Sequence, residues 1–156
     1  MKIKWKSLLV CLAVPLAVGG LSALLTNESM KKFSLLRQPP LSPPMWVFPV
    51  VWTLLFAMMG TASYLVYTAQ SGRGEKRSAL WVYGLQLLVN FGWPIFFFNL
   101  NWWLFAFFWL ILLWAMILGV TVQFYRIRPV AGLLMIPYLA WVAFAGYLNF
   151  GIYLLN

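Results

Sequence analysis

Five apolar runs, none interrupted by a charged residue, leave this chain few folds to choose from. A helix rises about 1.5 Å per residue, so about 20 residues cross the roughly 30 Å of hydrocarbon in a bilayer. Backbone groups in that medium must pair within the segment, so runs of this length become helices. They cover about Ser7 to Leu25, Met45 to Tyr67, Ala79 to Phe98, Trp102 to Tyr125 and Val130 to Leu155. Only 8% of the residues are charged, against roughly 25% in a soluble domain. The expected architecture is all-α: one integral membrane domain over residues 1–156, built as a five-transmembrane-helix bundle, with no room for a soluble domain and no visible internal repeat.

The net charge of +9 would suggest a nucleic-acid partner if the charges shared one surface. They do not. Every Lys and Arg lies near a chain end or in a connection, as do Glu28 and Glu75. That distribution sets topology and meets lipid headgroups, so no nucleic acid is expected. Lys2, Lys4, Lys6, Arg73, Lys76, Arg77, Arg126 and Arg128 fall on one side, and only Lys31, Lys32 and Arg37 on the other. The positive-inside rule then places a multi-pass protein in the cell membrane with its N-terminus cytoplasmic and its C-terminus external. The first span also has the outline of a secretory signal peptide. Its apolar run is long for one, and Cys11 comes too early for a lipoprotein site, so a retained helix is favoured. The charge asymmetry points the same way in either case.

Thr26 to Ser42 forms the longest connection, on the outer side, and Gln70 to Ser78 a short basic turn. Asn99-Leu100-Asn101 allows only a tight turn, which makes spans three and four an antiparallel hairpin. The outer loop ends in Pro39-Pro40-Leu41-Ser42-Pro43-Pro44-Met45-Trp46, and Pro49 follows inside the next apolar run. With a helix starting near Pro44 or Met45, Pro49 falls in its second turn and is expected to kink or loosen the entrance. A stiff loop over a kinked aromatic entrance can cover a cavity; it can equally be a rigid lead into a membrane helix.

Gln86, Asn90, Trp93 and Phe97 on the third span are spaced i, i+4, i+7, i+11 and share one face. Amides are costly in hydrocarbon, so this face should meet protein or a cavity. Helix-to-helix hydrogen bonding explains the stripe as well as a ligand does. Pro94 frees a backbone carbonyl close to Trp93. On the fifth span Pro137, Trp141, Ala145 and Leu148 form a second stripe beside Asn149. A bulky Trp next to a small Ala leaves a recess for a flat ligand or a hole for a neighbouring side chain. Spacing does not separate the two. Ala115 and Gly119 on the fourth span would let another helix approach closely, from the same bundle or from a second copy.

Absences discriminate better. The sequence has no His and a single Cys, Cys11. No metal site, haem-ligating histidine, disulfide or nucleophilic triad is therefore expected, and no cofactor. Ion-coupled transport is disfavoured because no Asp, Glu, Lys or Arg lies within a span. Redox chemistry at tryptophan is the main catalytic option that composition leaves.

Three motifs occur in order on three spans: Pro43-Pro44-Met45-Trp46 with Trp52; Gln86-Leu87 with Asn90 and Trp93-Pro94; and Pro137-Tyr138-Leu139-Ala140-Trp141 with Phe144-Ala145 and Leu148-Asn149. With them the whole chain resembles the TspO/translocator protein family, the tryptophan-rich sensory proteins whose animal members are peripheral-type benzodiazepine receptors. The resemblance implies a commonly dimeric bundle with an intramembrane pocket roofed by the first loop. The implied ligands are protoporphyrin IX or other tetrapyrroles and, for animal members, isoquinoline carboxamide compounds and cholesterol. The implied ligand-binding residues are Phe48, Trp52, Asn90, Trp93, Phe108, Leu112, Trp141, Ala145 and Leu148. Some bacterial members promote light-dependent oxidative breakdown of porphyrin, which by resemblance gives Trp52 and Trp141 a catalytic role.

Two positions depart from the family pattern. Leu148 and Tyr153 are present, but no basic residue follows them up to Asn156, which weakens a sterol role. Phe105 and Phe108 stand where animal members have a Trp and a small Ala, which predicts a tighter pocket wall on the fourth span. A porphyrin is a flat plate with acidic edges. Trp faces can stack on it for about 0.5–1.5 kcal/mol per aromatic pair, and Lys31, Lys32 or Arg37 can meet a propionate. The function expected is a membrane receptor or sensor for tetrapyrroles. The alternatives are a passive porphyrin or lipid carrier, and an assembly partner with no small ligand of its own.

Overall fold

A computed structural model describes residues 2–156. The chain forms α1 (Trp5–Phe33), α2 (Val47–Tyr67), α3 (Arg73–Pro94), a single π-helical turn (Ile95–Asn99), α4 (Trp103–Ile127) and α5 (Pro129–Leu155). All five helices are long and apolar enough to cross a membrane, with the π turn prolonging the third. The protein is a multi-pass, all-α membrane bundle. Its helices close a ring in the order α1, α2, α5, α4, α3, with α3 returning to α1. Large apolar side chains such as Leu24, Leu54 and Leu88 stay on the outside. Lipid is as good a solvent for them as the core, so the outer surface needs no polar face.

Helix boundaries differ from the sequence reading at three places. First, α1 runs on through Thr26 to Phe33, so the loop between α1 and α2 is shorter than Thr26–Ser42 and begins at Ser34. The polar end is held helical by Thr26 Oγ1 donating to the Ser22 carbonyl at 2.9 Å and by Lys31 and Lys32 in the last turn. Buried Phe33 anchors it, its ring 5.5 Å from Phe97 and 5.2 Å from Phe98. Second, α2 starts at Val47, so Pro49 sits in its first turn, where a missing N–H costs nothing. The expected strain at the entrance is absent. Third, α3 already begins at Arg73, which shortens the basic turn to Thr68–Gly72. Pro94 ends α3, and the π turn that follows carries three phenylalanines into the tight turn, where Asn101 takes a positive φ of 55°.

Several hydroxyls within the spans fold back on their own helices. Thr61 donates to Ala57, Ser63 to Gly60 and Thr121 to Ile117, each on a carbonyl three or four residues earlier. Gly60 sets the α1–α2 approach, because a Cβ there would lie 2.6 Å from the Cys11 carbonyl oxygen.

Candidate functional site

A cavity of about 140 Å³ lies under the loop between α1 and α2. Gly19, Ser22, Ala23, Thr26, Met30 and Phe33 of α1 form one wall, and Phe48, Pro49, Trp52 and Phe56 of α2 another. Asn90, Trp93 and Pro94 of α3, with Phe97 and Phe98 of the π turn, form the third. Ala145, Leu148 and Asn149 of α5 complete the ring, and Gln38 and Met45 come from the loop.

The amides of the two stripes cross-link helices, although Gln86 Nε2 is buried without a partner. Asn90 Nδ2 donates to the Tyr138 hydroxyl at 2.6 Å, and that hydroxyl donates to Gln86 Oε1 at 2.7 Å. Trp93 Nε1 donates to Asn149 Oδ1 at 2.9 Å, and Asn149 Nδ2 donates to the Trp103 carbonyl at 2.7 Å. These bonds tie α3 to α5 and α5 to α4, and they fix which way Asn90 and Trp93 turn. Both readings of the stripes thus meet in one place: the amides bind neighbouring helices, and their flanks wall the cavity.

Trp52 is half-buried, stacks on Phe56 at 5.5 Å and meets Tyr138 edge-on at 6.2 Å. Trp141 is not a lining residue. Its ring packs edge-on against Phe48, which does line the cavity, at 5.9 Å, and its buried Nε1 has no acceptor. Ser22 Oγ, in the α1 wall, is buried and likewise unpartnered. Phe108 and Leu112 lie elsewhere, on the outward face of α4, 60% and 48% exposed. Phe105 is turned outward too, so among the described residues α4 adds nothing to the wall and does not narrow it. Lys31, Lys32 and Arg37 do not reach the cavity, and Lys31 instead pairs with Glu28 in solvent at 3.4 Å.

The loop over the cavity is fastened to the end of α5. Tyr147 Oη donates to the Pro40 carbonyl at 2.6 Å. The Arg37 backbone N–H donates to Asn156 Oδ1 at 3.1 Å, and Asn156 Nδ2 returns to the Arg37 carbonyl at 3.0 Å. Pro39 rests on Gly151, where even a methyl group would lie 2.6 Å from the proline Cβ. Between these points Leu41 is held at φ 71°, a strained conformation for a residue with a side chain, following Pro40 in a turn closed by Ser42 N–H on Pro39.

The ordered motifs that converge on this roofed cavity have counterparts elsewhere. The TspO/MBR family profile matches residues 11–155. The chain belongs to the TspO/MBR family. It is 38% identical to the tryptophan-rich protein TspO of Chlorobaculum tepidum over 96% of both chains. It is 34% identical to the protein of that name from Archaeoglobus fulgidus, over 90% of this chain and 91% of the relative. The human translocator protein is 37% identical over 80% of this chain and 74% of its own length. What sequence reasoning missed in this TspO/MBR protein is the α1 wall. Its signal was there: Gly19, Ser22, Thr26, Met30 and Phe33 recur at three- and four-residue spacing, one face that opens with small and hydroxyl groups in an otherwise bulky run.

Proposed function

We propose that this protein is a membrane receptor or sensor that binds a tetrapyrrole such as protoporphyrin IX in the roofed cavity, and that bound porphyrin is degraded in light with dissolved dioxygen as the oxidant and Trp52 taking part. The observation that carries this reading is the lining itself. Aromatic faces from α2, α3 and the π turn surround a space without a charged group, with Ala145 leaving room opposite them. Indole and phenyl faces suit a flat macrocycle, whose apolar body gains from burial.

Size sets a condition. About 140 Å³ is the room of one benzene ring, so a macrocycle enters only when the roof lifts and Met45 and Phe48 move aside. The fastened loop is therefore a closed arrangement, which must open before a macrocycle enters. Trp141 acts through Phe48, as support for the wall, unless opening brings its free Nε1–H to the ligand. The N-terminus lies in the cytoplasm and the loop outside, from the asymmetry of basic residues. Two copies associate through the outward face of α4, where Ala115 and Gly119 are exposed and Gly119 has open space before it.

The test uses detergent-purified protein titrated with protoporphyrin IX and then illuminated. Wild type should bind saturably and speed the loss of porphyrin absorbance over a protein-free control. Trp52→Phe should keep binding and lose the acceleration; Trp141→Phe should keep most of both. Absence of binding to wild type would remove the tetrapyrrole reading, and equal decay in all samples would leave a binding protein without turnover.

A further inference from the structure

A second cavity, of about 550 Å³, lies at the opposite end of the bundle, where α1 begins, α2 ends and α4 turns into α5. Lys2, Lys4 and Arg128 line it together with Tyr64, Thr68 and Gln70. Among the described residues no carboxylate lines it. Glu75 is held by Ser71 Oγ at 2.9 Å, and Glu28 pairs with Lys31 at the far end of α1. Lys2 and Lys4 at the chain start, with Arg128 from the α4–α5 junction in the same lining, concentrate positive charge in one hollow, which attracts an anion.

The hollow is built rather than incidental. The Lys4 backbone N–H donates to the Tyr64 hydroxyl at 2.8 Å, which pins the N-terminal segment against α2 and holds Lys4 at the rim. Tyr64 is itself buried and, having accepted that bond, keeps its own O–H to donate. Two long helices also start here, α1 after Lys4 and α5 after Arg128, neither with a side-chain cap nor an acidic residue in its first turn. The unpaired N–H groups of the first turn of α1 add positive potential to the same place. At α5, by contrast, Pro129 has no N–H, and Ala131 and Gly132 bond to the Arg128 carbonyl.

The structure assigns this cavity, we infer, as a binding site for a phosphate-bearing anion, with the headgroup of an anionic phospholipid as its source. Lysine, arginine, hydroxyl donors and helix N-termini are the groups that recognise phosphate. The volume falls within the range of small-molecule sites, about 300–1,000 Å³, so it takes a phosphodiester headgroup rather than an isolated ion. Ala69 and Ile127 supply an apolar margin for the start of the acyl region. The site is separate from the tetrapyrrole cavity, and its test is independent of that reading.

The probe is phosphatidylglycerol in phosphatidylcholine nanodiscs holding the full-length protein, with retained lipid counted by native mass spectrometry. A second arm titrates inorganic phosphate onto protein in uncharged detergent and follows thermal unfolding. Lys2→Gln/Lys4→Gln is compared with Arg73→Gln/Arg77→Gln, which removes the same charge from the same side at exposed positions outside the cavity. At about fivefold per basic residue, the first variant should retain phosphatidylglycerol roughly 25-fold more weakly, and the second should match wild type. Stabilisation by inorganic phosphate, lost only in Lys2→Gln/Lys4→Gln, would make a soluble phosphate the source instead of a lipid. The proposal is overturned if the two variants behave alike with both probes, since that is diffuse surface charge and not a site.

Discussion

Replacing Tyr147 with Phe removes one hydrogen bond of the roof and leaves the ring, which stacks on Phe144 at 6.1 Å, in place. The bond to the Pro40 carbonyl exists only while the loop is down. A typical net worth of about 0.5–1.5 kcal/mol raises the lifted fraction about 2- to 13-fold, provided the loop is mostly closed. Because the closed cavity holds about 140 Å³, a macrocycle selects the lifted state, and its apparent Kd is the intrinsic value divided by the lifted fraction. Tyr147→Phe should therefore bind protoporphyrin IX tighter by that factor, with the gain in the association rate. Gly151→Ala should act in the same direction, since its methyl would press on Pro39. Stopped-flow quenching of tryptophan fluorescence in detergent measures both rates. Unchanged or weaker binding in both variants would refute the argument, because it would mean that the fastened loop is part of the ligand-bound state.

Three further outcomes follow from the packing. Tyr138→Phe strands Gln86 Oε1 and Asn90 Nδ2 in the interior and should cost about 1–3 kcal/mol; an unchanged melting temperature in detergent would show that the network carries no weight. Gly60→Ala places a methyl 2.9 Å from Leu12 Cα and should destabilise the α1–α2 contact by about 1–3 kcal/mol, whereas Gly20→Ala, facing open space, should not; equal melting of the two contradicts the close approach. Arg73→Cys on a Cys11→Ser background should react with an impermeant maleimide only after the membrane is opened, and labelling of intact cells would invert the orientation.

Much of the site was legible because polar groups in hydrocarbon have so few places to go. Gln86, Asn90 and Asn149 had to turn inward, which set the rotation of α3 and α5 before any coordinate was known. Trp93, Ala145 and Leu148 came along with them to the cavity wall. Phe108 and Leu112 had no such marker. Their run is apolar all round, lipid and protein solvate it equally well, and nothing local says which face turns outward.

The number of helices, their apolar cores and the polar faces of two of them were determined by the sequence alone. Those properties depend on length, hydropathy and local spacing, which act within one segment. Only the tertiary structure decided the rest: that α1 continues to Phe33, that it walls the cavity, and that Pro39 and Tyr147 close the roof onto α5. Phe33 meets Phe97 across 64 residues, and Tyr147 meets Pro40 across 107. A contact between residues that far apart takes its energy from how the helices stand together, and no window along the chain contains both partners.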